Sequence, residues 1–143
     1  MTVDSGAIVN SNPKYRNAVA IRSVTGGQVM NALTIMGVAN EPFQAALESS
    51  LAANGYLARS STPKFYVDAK IVNLDQPIIG LDMDVTADVS YEVSSGGGTT
   101  ATYPVKTTAR ATFSDSPIAA DRIRVANERA MRDNIKQFLQ ALR

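Results

Sequence analysis

The chain has 143 residues, of which 45% are hydrophobic and 19% are charged, with a net charge of +1 and neither cysteine nor histidine. This composition predicts a globular domain with its own core and excludes a disordered chain. Without cysteine and histidine we expect no ordinary zinc site, no Cys/His nucleophile and no Ser-His-Asp triad, and no motif indicates a cofactor. The balanced charge gives no global basic field, so we expect no nucleic-acid partner.

The first 16 residues are small and polar and show no periodicity. We predict them as a flexible leader, followed by a single α+β domain over residues 17–143. The start lacks the basic and apolar regions of a signal peptide. Two interpretations stay open, a natural start or a chain from which a signal sequence has been removed. No apolar run reaches the ~18 residues that a membrane-spanning helix needs.

A short strand is predicted first, from Ala18 to Val24, and it ends at two glycines. Asn40 then has the properties of a helix N-cap, and the helix is predicted to end near Asn54, with Gly55 in the left-handed position after it. Spacing of four residues predicts the stripe that this helix buries. The stripe consists of Phe43, Leu47 and Leu51.

The connector from Gln28 to Ala39 is more apolar than a typical connector, and it has neither a helical stripe nor a strand alternation. One interpretation is a loop that folds back over an end of the core. The other is an adaptable apolar arm for a partner, because flexible methionines suit surfaces that repack. The candidate partner contacts are its large apolar residues, Val29, Met30, Leu33, Ile35 and Met36.

The strongest pattern is an alternation of apolar and polar residues over Leu81–Val93 and again over Ala101–Phe113, separated by three glycines. It predicts one long β-hairpin with a dry face and a wet face. With Val93 opposite Ala101, the wet face brings Asp88 opposite Lys106, which favours this register. Another alternating strand is predicted before the hairpin, at residues 65–72. Pro104 indicates an edge position or a bulge in the last strand.

The final segment starts with helix-initiating residues, Ser114 to Pro117, and is predicted to be helical from Ile118 to about Leu142. Asn127 and Asn134 lie near the edge of its apolar stripe, where we expect them to hydrogen-bond a neighbouring backbone. The predicted stripe is Ile123, Ala126, Ala130, Ile135, Phe138 and Leu142. The predicted outer surface carries Arg122, Arg124, Arg129, Arg132 and Lys136.

The element order is therefore β-α-β-β-β-α. It predicts an α+β fold in which a four-stranded mixed or antiparallel sheet carries two helices on one face. The acidic residues of the hairpin are Asp82, Asp84, Asp88 and Glu92. They suit either a hard cation or, more simply, the solvated face of a strand, because alternate side chains stand roughly 7 Å apart.

Three stretches of this sequence are informative together, namely Phe43–Tyr56, Leu74–Met83, and Arg124–Ala130 with Asn134 and Ile135. They resemble small envelope lipoproteins of proteobacteria. More distantly, the layout is similar to the lipopolysaccharide-assembly lipoprotein and to auxiliary lipoproteins of lipid-transport ABC systems. The matching motifs are structural, and they supply no catalytic residue.

The resemblance implies a secreted protein that is acylated at a lipobox cysteine and anchored to the inner or outer membrane, facing the periplasm. This chain has no cysteine, so the anchor would lie outside it. The leading hypothesis is a non-enzymatic accessory that binds an envelope protein or a lipid in an assembly or transport system, in an oligomeric state that the sequence leaves open. The alternatives are a carboxylate-dependent hydrolase or transferase and a purely structural periplasmic module.

Overall fold

A computed structural model of the chain describes residues 12–27, 39–77 and 79–143. It confirms the predicted fold class and the order β-α-β-β-β-α. The elements are β1 Val19–Thr25, α1 Asn40–Ala53, β2 Phe65–Asp75, β3 Met83–Ser95, β4 Gly98–Ala111 and α2 Ala119–Ala141.

The four strands form one mixed sheet in the order β1-β2-β3-β4, with β1 parallel to β2 and the other neighbours antiparallel. The predicted hairpin register is confirmed, since Val93 pairs with Ala101 and Asp88 with Lys106. β4 is an outer strand and carries Pro104, as expected for a residue that cannot donate a ladder hydrogen bond.

Both helices cover the same face of the sheet. The ring of Tyr91 on β3 stacks on Phe138 of α2, with centroids 4.0 Å apart, and lies 6.5 Å from the ring of Phe43 on α1. The predicted stripes of both helices are buried. The core therefore lies between one sheet face and the two helices, and the opposite sheet face is open.

The prediction of Asn40 as the N-cap is wrong. The helix already includes Asn40, and its Oδ1 instead accepts a hydrogen bond from the Gly27 N–H at 2.7 Å, which ties the helix start to the end of β1. The other end is as predicted. Gly55 has φ +75°, the left-handed conformation in which glycine avoids a Cβ clash.

The hairpin strands are shorter than predicted at the end opposite the β3–β4 turn. Leu81 and Phe113 were placed on the core face, but β3 begins at Met83 and β4 ends at Ala111, so both side chains lie in connectors and are exposed. Arg122 was placed on the outer surface of α2 and is buried instead. Its position four residues before Ala126 puts it on the sheet-facing stripe.

Residues 12–16, which were predicted to belong to the leader, include a core residue. Tyr15 is buried, and its ring meets Phe65 edge-on with centroids 4.8 Å apart. A lone aromatic residue among polar ones gives no periodic signal. The earlier part of the predicted leader, residues 1–11, lies outside the described residues.

The sheet has two distinct ends. At the hairpin end lie residues 12–18, residues 54–64 and the β3–β4 turn, because the start of β1 pairs with the start of β2 and the latter with the end of β3. At the opposite end lie the β2–β3 connector and the β4–α2 connector. Helix α2 runs along the sheet from that end towards the hairpin end. In the described part of the chain, neither helix is long and apolar enough to cross a membrane.

Candidate functional site

The five predicted partner contacts, Val29, Met30, Leu33, Ile35 and Met36, lie outside the described residues. Their role as a contact surface stays a prediction. The described structure does place a different set of apolar side chains in two connectors at one end of the sheet, and the sequence analysis had placed these side chains in the core or had not singled them out.

These side chains form what we call the apolar end, which comprises Ile79 and Leu81 of the β2–β3 connector and Phe113 and Ile118 of the β4–α2 connector. Their exposed fractions are 90%, 74%, 57% and 59%. Single exposed apolar residues are common on protein surfaces, but four of them in two connectors at one end make this end a candidate contact surface.

Arg122, a buried residue of α2, links the two connectors. Its guanidinium donates hydrogen bonds to the carbonyls of Ser116 at 2.8 Å and Gly80 at 3.4 Å, and it lies 5.7 Å from the Phe113 ring centroid. The side chain is only 4% exposed, and within the described residues its Nε has no partner. A buried cation that donates hydrogen bonds to carbonyls of both connectors fixes their relative position.

A second interaction stiffens the β4–α2 connector. The Asp115 carboxylate accepts hydrogen bonds from Arg129 at 2.6 Å and from the Thr112 N–H at 2.8 Å. The Arg129 guanidinium first, and then the Thr112 N–H, lower the pKa of Asp115 to about 2. Arg129 also donates to the Arg110 carbonyl, so this connector is attached to both β4 and α2.

The open face of the sheet is polar and cross-linked by pairs of opposite charge. Arg110 binds Asp84 at 2.7 Å, Lys106 lies 3.7 Å from Asp88, and Arg22 forms an ion pair with Asp68. The arginines lower the pKa of both Asp68 and Asp84. The hairpin carboxylates thus follow the solvated-face interpretation. Across the described residues, no three Asp or Glu side chains converge in a way that could hold a metal ion.

The two asparagines of α2 fix the helix on the sheet. Asn134 is buried, and its Nδ2 donates to the carbonyls of Val105 at 2.9 Å and Ala87 at 3.1 Å, while its Oδ1 accepts from the Tyr91 hydroxyl at 2.8 Å. The predicted backbone contact is therefore confirmed for Asn134. Asn127 accepts instead from the Gln76 side chain. Burial raises the pKa of Tyr91 well above its ordinary value, so the phenol that donates to Asn134 stays protonated.

An open cleft of about 430 Å³ lies between β4 and the C-terminal half of α2. Polar and charged side chains line it, among them Lys106, Asp133, Lys136 and Gln137. Lys106 is already paired with Asp88. The cleft is shallow and solvated, so it lacks the apolar walls with a few convergent polar groups that are typical of small-molecule sites.

No protein-family model matches the sequence, and no curated protein is significantly similar to it. The fold is similar to that of a Xanthomonas campestris protein of family DUF330, with a TM-score of 0.61, 9% identity, and coverage of 93% of this chain and 89% of that one.

A candidate lipoprotein from Caulobacter crescentus gives a TM-score of 0.59 at 13% identity, covering 88% of each chain. A hypothetical protein from Chlamydia trachomatis gives 0.57 at 12% identity, covering 89% of this chain and 98% of that one. At these identities the similarities establish a shared fold over nearly the whole length and leave function open.

Proposed function

We propose that this chain is the non-enzymatic, periplasm-facing domain of an envelope lipoprotein, and that it binds a protein partner of an assembly or lipid-transport system through the apolar end. The fold similarity to a candidate lipoprotein supports the envelope assignment. The observation that carries the binding role is the exposure of Ile79, Leu81, Phe113 and Ile118 at one end of the sheet.

The composition of the apolar end supports a protein-binding role. Its two connectors carry an aromatic side chain, Phe113, besides the aliphatic ones, and they also carry Asp115 and Asp82, which pair with Arg129 and Arg110. Because Arg122 already fixes the two connectors, a partner would not have to order them on binding. Such preorganisation strengthens association by lowering its entropic cost.

The carboxylates argue against the hydrolase or transferase alternative. Chemistry with two carboxylates needs one acid whose pKa is raised so that it can donate a proton. In this protein the pKa values of Asp68, Asp84 and Asp115 are shifted downward by neighbouring arginines. These groups are suited to holding ion pairs and not to donating protons near neutral pH.

The proposed lipid anchor would join the domain at the hairpin end, because residues 12–18 lie there. The apolar end is at the opposite end of the sheet. An anchored domain would therefore present Leu81 and Phe113 away from its own membrane, towards a partner that extends into the periplasm.

Site-specific photocrosslinking in the native bacterium tests this proposal. A photoreactive residue at position 81 or 113 should give a crosslink to the same envelope protein. The matched control is position 72, because Val72 is also 60% exposed but lies on the open sheet face. An equal crosslink from position 72, or none from 81 and 113, would contradict the binding role.

Labelling with palmitate tests the proposed lipid anchor. Labelled palmitate fed to the same cells should be incorporated into the full-length protein, and a protein without label would contradict the anchor.

A further inference from the structure

The hairpin end carries a group of cations that no part of the proposed function uses. They are Lys14 and Arg16, just before β1, and Arg59 and Lys64, just before β2, and all four are exposed. We call them the basic end. The two stretches that hold them, residues 12–18 and 54–64, contain no acidic residue.

Backbone hydrogen bonds bring these two stretches together. The Asn17 N–H donates to the Gly55 carbonyl at 2.9 Å, and the Lys64 N–H donates to the Ala18 carbonyl at 2.9 Å. The ammonium of Lys14 lies over the rings of Tyr15 and Phe65, 5.3 and 5.5 Å from their centroids. Two segments about forty residues apart in sequence thus form one surface.

The basic end differs from the rest of the molecule in how its charges are compensated. In the part of the chain that the structure describes, the ion pairs of Arg22, Lys106, Arg110, Arg124 and Arg129 all lie elsewhere. None of those ion pairs involves a cation of the basic end. Glu92, the strand acid closest to the β3–β4 turn, accepts a hydrogen bond from the Thr99 hydroxyl instead.

We propose that the basic end is a docking surface for the anionic headgroups of a lipid bilayer. Long cationic side chains spread over an exposed end fit many phosphates on a plane better than one enclosed ligand. Nearly neutral overall charge disfavours an extended polyanion such as nucleic acid, which would meet the acidic groups on the sheet and on α2. The proposal goes beyond the proposed function, because this contact does not require the anchor.

Vesicle sedimentation of the unanchored chain tests this surface. Wild-type protein should bind vesicles of equal parts phosphatidylglycerol and phosphatidylcholine at low salt, and should be released by high salt and by pure phosphatidylcholine. Replacing Arg16, Arg59 and Lys64 together with Glu should weaken the partition by more than about a hundredfold, since each lost cation contributes roughly fivefold at an anionic surface and each new carboxylate adds repulsion. Lys14 is kept because it packs on two core rings.

The matched control replaces Lys70, Arg132 and Lys136 with Glu, which changes the net charge by the same amount at exposed positions on the sheet face and α2. This variant should retain most of the binding. Equal losses of vesicle binding in the two variants would show that net charge alone determines binding, and this result would overturn the proposal. No binding by the wild type, binding that high salt does not weaken, or tighter binding to duplex DNA than to the vesicles would also overturn it. Circular dichroism and thermal unfolding of both variants identify any loss that comes from misfolding.

Discussion

The two ends of the sheet carry opposite kinds of surface. At the apolar end, exposed aliphatic and aromatic side chains lie on connectors that Arg122 and the Asp115–Arg129 pair hold in place. At the basic end, exposed cationic side chains lie on two stretches that contain no acidic residue. A preorganised apolar surface suits a shaped protein partner, whereas an exposed cationic surface suits a plane of phosphates. The difference indicates two separate contacts on one small domain.

Removing the contacts that fix α2 on the sheet, between the two ends, should have the largest effect on stability. Helix α2 spans the sheet lengthwise and is fixed to it by Asn134. Asn134→Ala should cost about 3 kcal/mol of unfolding free energy, because two carbonyls and the Tyr91 hydroxyl lose a buried partner. Asn127→Ala is the control and should cost about 1 kcal/mol, since among the described residues it accepts one hydrogen bond, from the Gln76 side chain. Equal losses in urea titrations would show that Asn134 does not hold the helix in place.

Loosening the apolar end alone should give a smaller, local effect. Arg122→Met removes the bonds to Gly80 and Ser116 but also relieves a buried charge, so the net cost should be about 1 kcal/mol. Amide hydrogen exchange should accelerate in residues 79–82 and 112–118 and stay unchanged at the hairpin end. Arg132→Met, at an exposed position of the same helix, should leave exchange in both regions unaltered. Unchanged exchange in the Arg122 variant would mean that other contacts fix the connectors.

A pH titration tests the Asp115–Arg129 ion pair in the β4–α2 connector of the apolar end. The folded pKa of Asp115, about 2, lies below its ordinary value of 3.8. Its interactions therefore stabilise the fold above pH 3.8, and this contribution is lost as the pH falls through about 2. Arg129→Gln should move the pKa towards 3.8, as carboxyl NMR shifts would report. Arg124→Gln serves as the control and should leave Asp115 unchanged. A low pKa that persists in the Arg129 variant would assign it to the Thr112 N–H.

The smallest effect on stability is expected at the basic end. Replacing Arg16, Arg59 and Lys64 with Glu should change the unfolding free energy by less than about 0.5 kcal/mol, because these exposed side chains make no ion pairs in the described structure. A larger loss in chemical denaturation would give these cations a structural role and weaken the contrast between the two ends.

Much of the scaffold followed from local pattern. The alternation around Val85 and Val89 fixed the hairpin register, since a slip of one residue would have moved every apolar side chain into water. The same alternation could not show where pairing stops, so Leu81 and Phe113 were assigned to the core. Arg122 was predicted to be exposed because arginine is usually solvated, and the carbonyls that accept its hydrogen bonds come together only in the folded connectors.

The basic end could not be predicted from the sequence for a different reason. Lys14 and Lys64 become neighbours only through the parallel pairing of β1 with β2, which joins segments that are distant in sequence. A parallel pair requires a long crossover connection, and nothing in either short stretch indicates its partner. Spatial charge segregation of this kind can be recognised only once the strand order is known.

Labelling the two ends separately tests most directly whether the basic end contacts the membrane and the apolar end does not. The chain has no cysteine, so single cysteines at the exposed positions Thr62 and Ser114 would each carry one fluorophore, at the basic and the apolar end respectively. On anionic vesicles containing a headgroup quencher, the label at position 62 should be strongly quenched and the label at position 114 should not. Equal quenching, or stronger quenching at position 114, would contradict the assignment of the basic end to the membrane and of the apolar end to a protein partner.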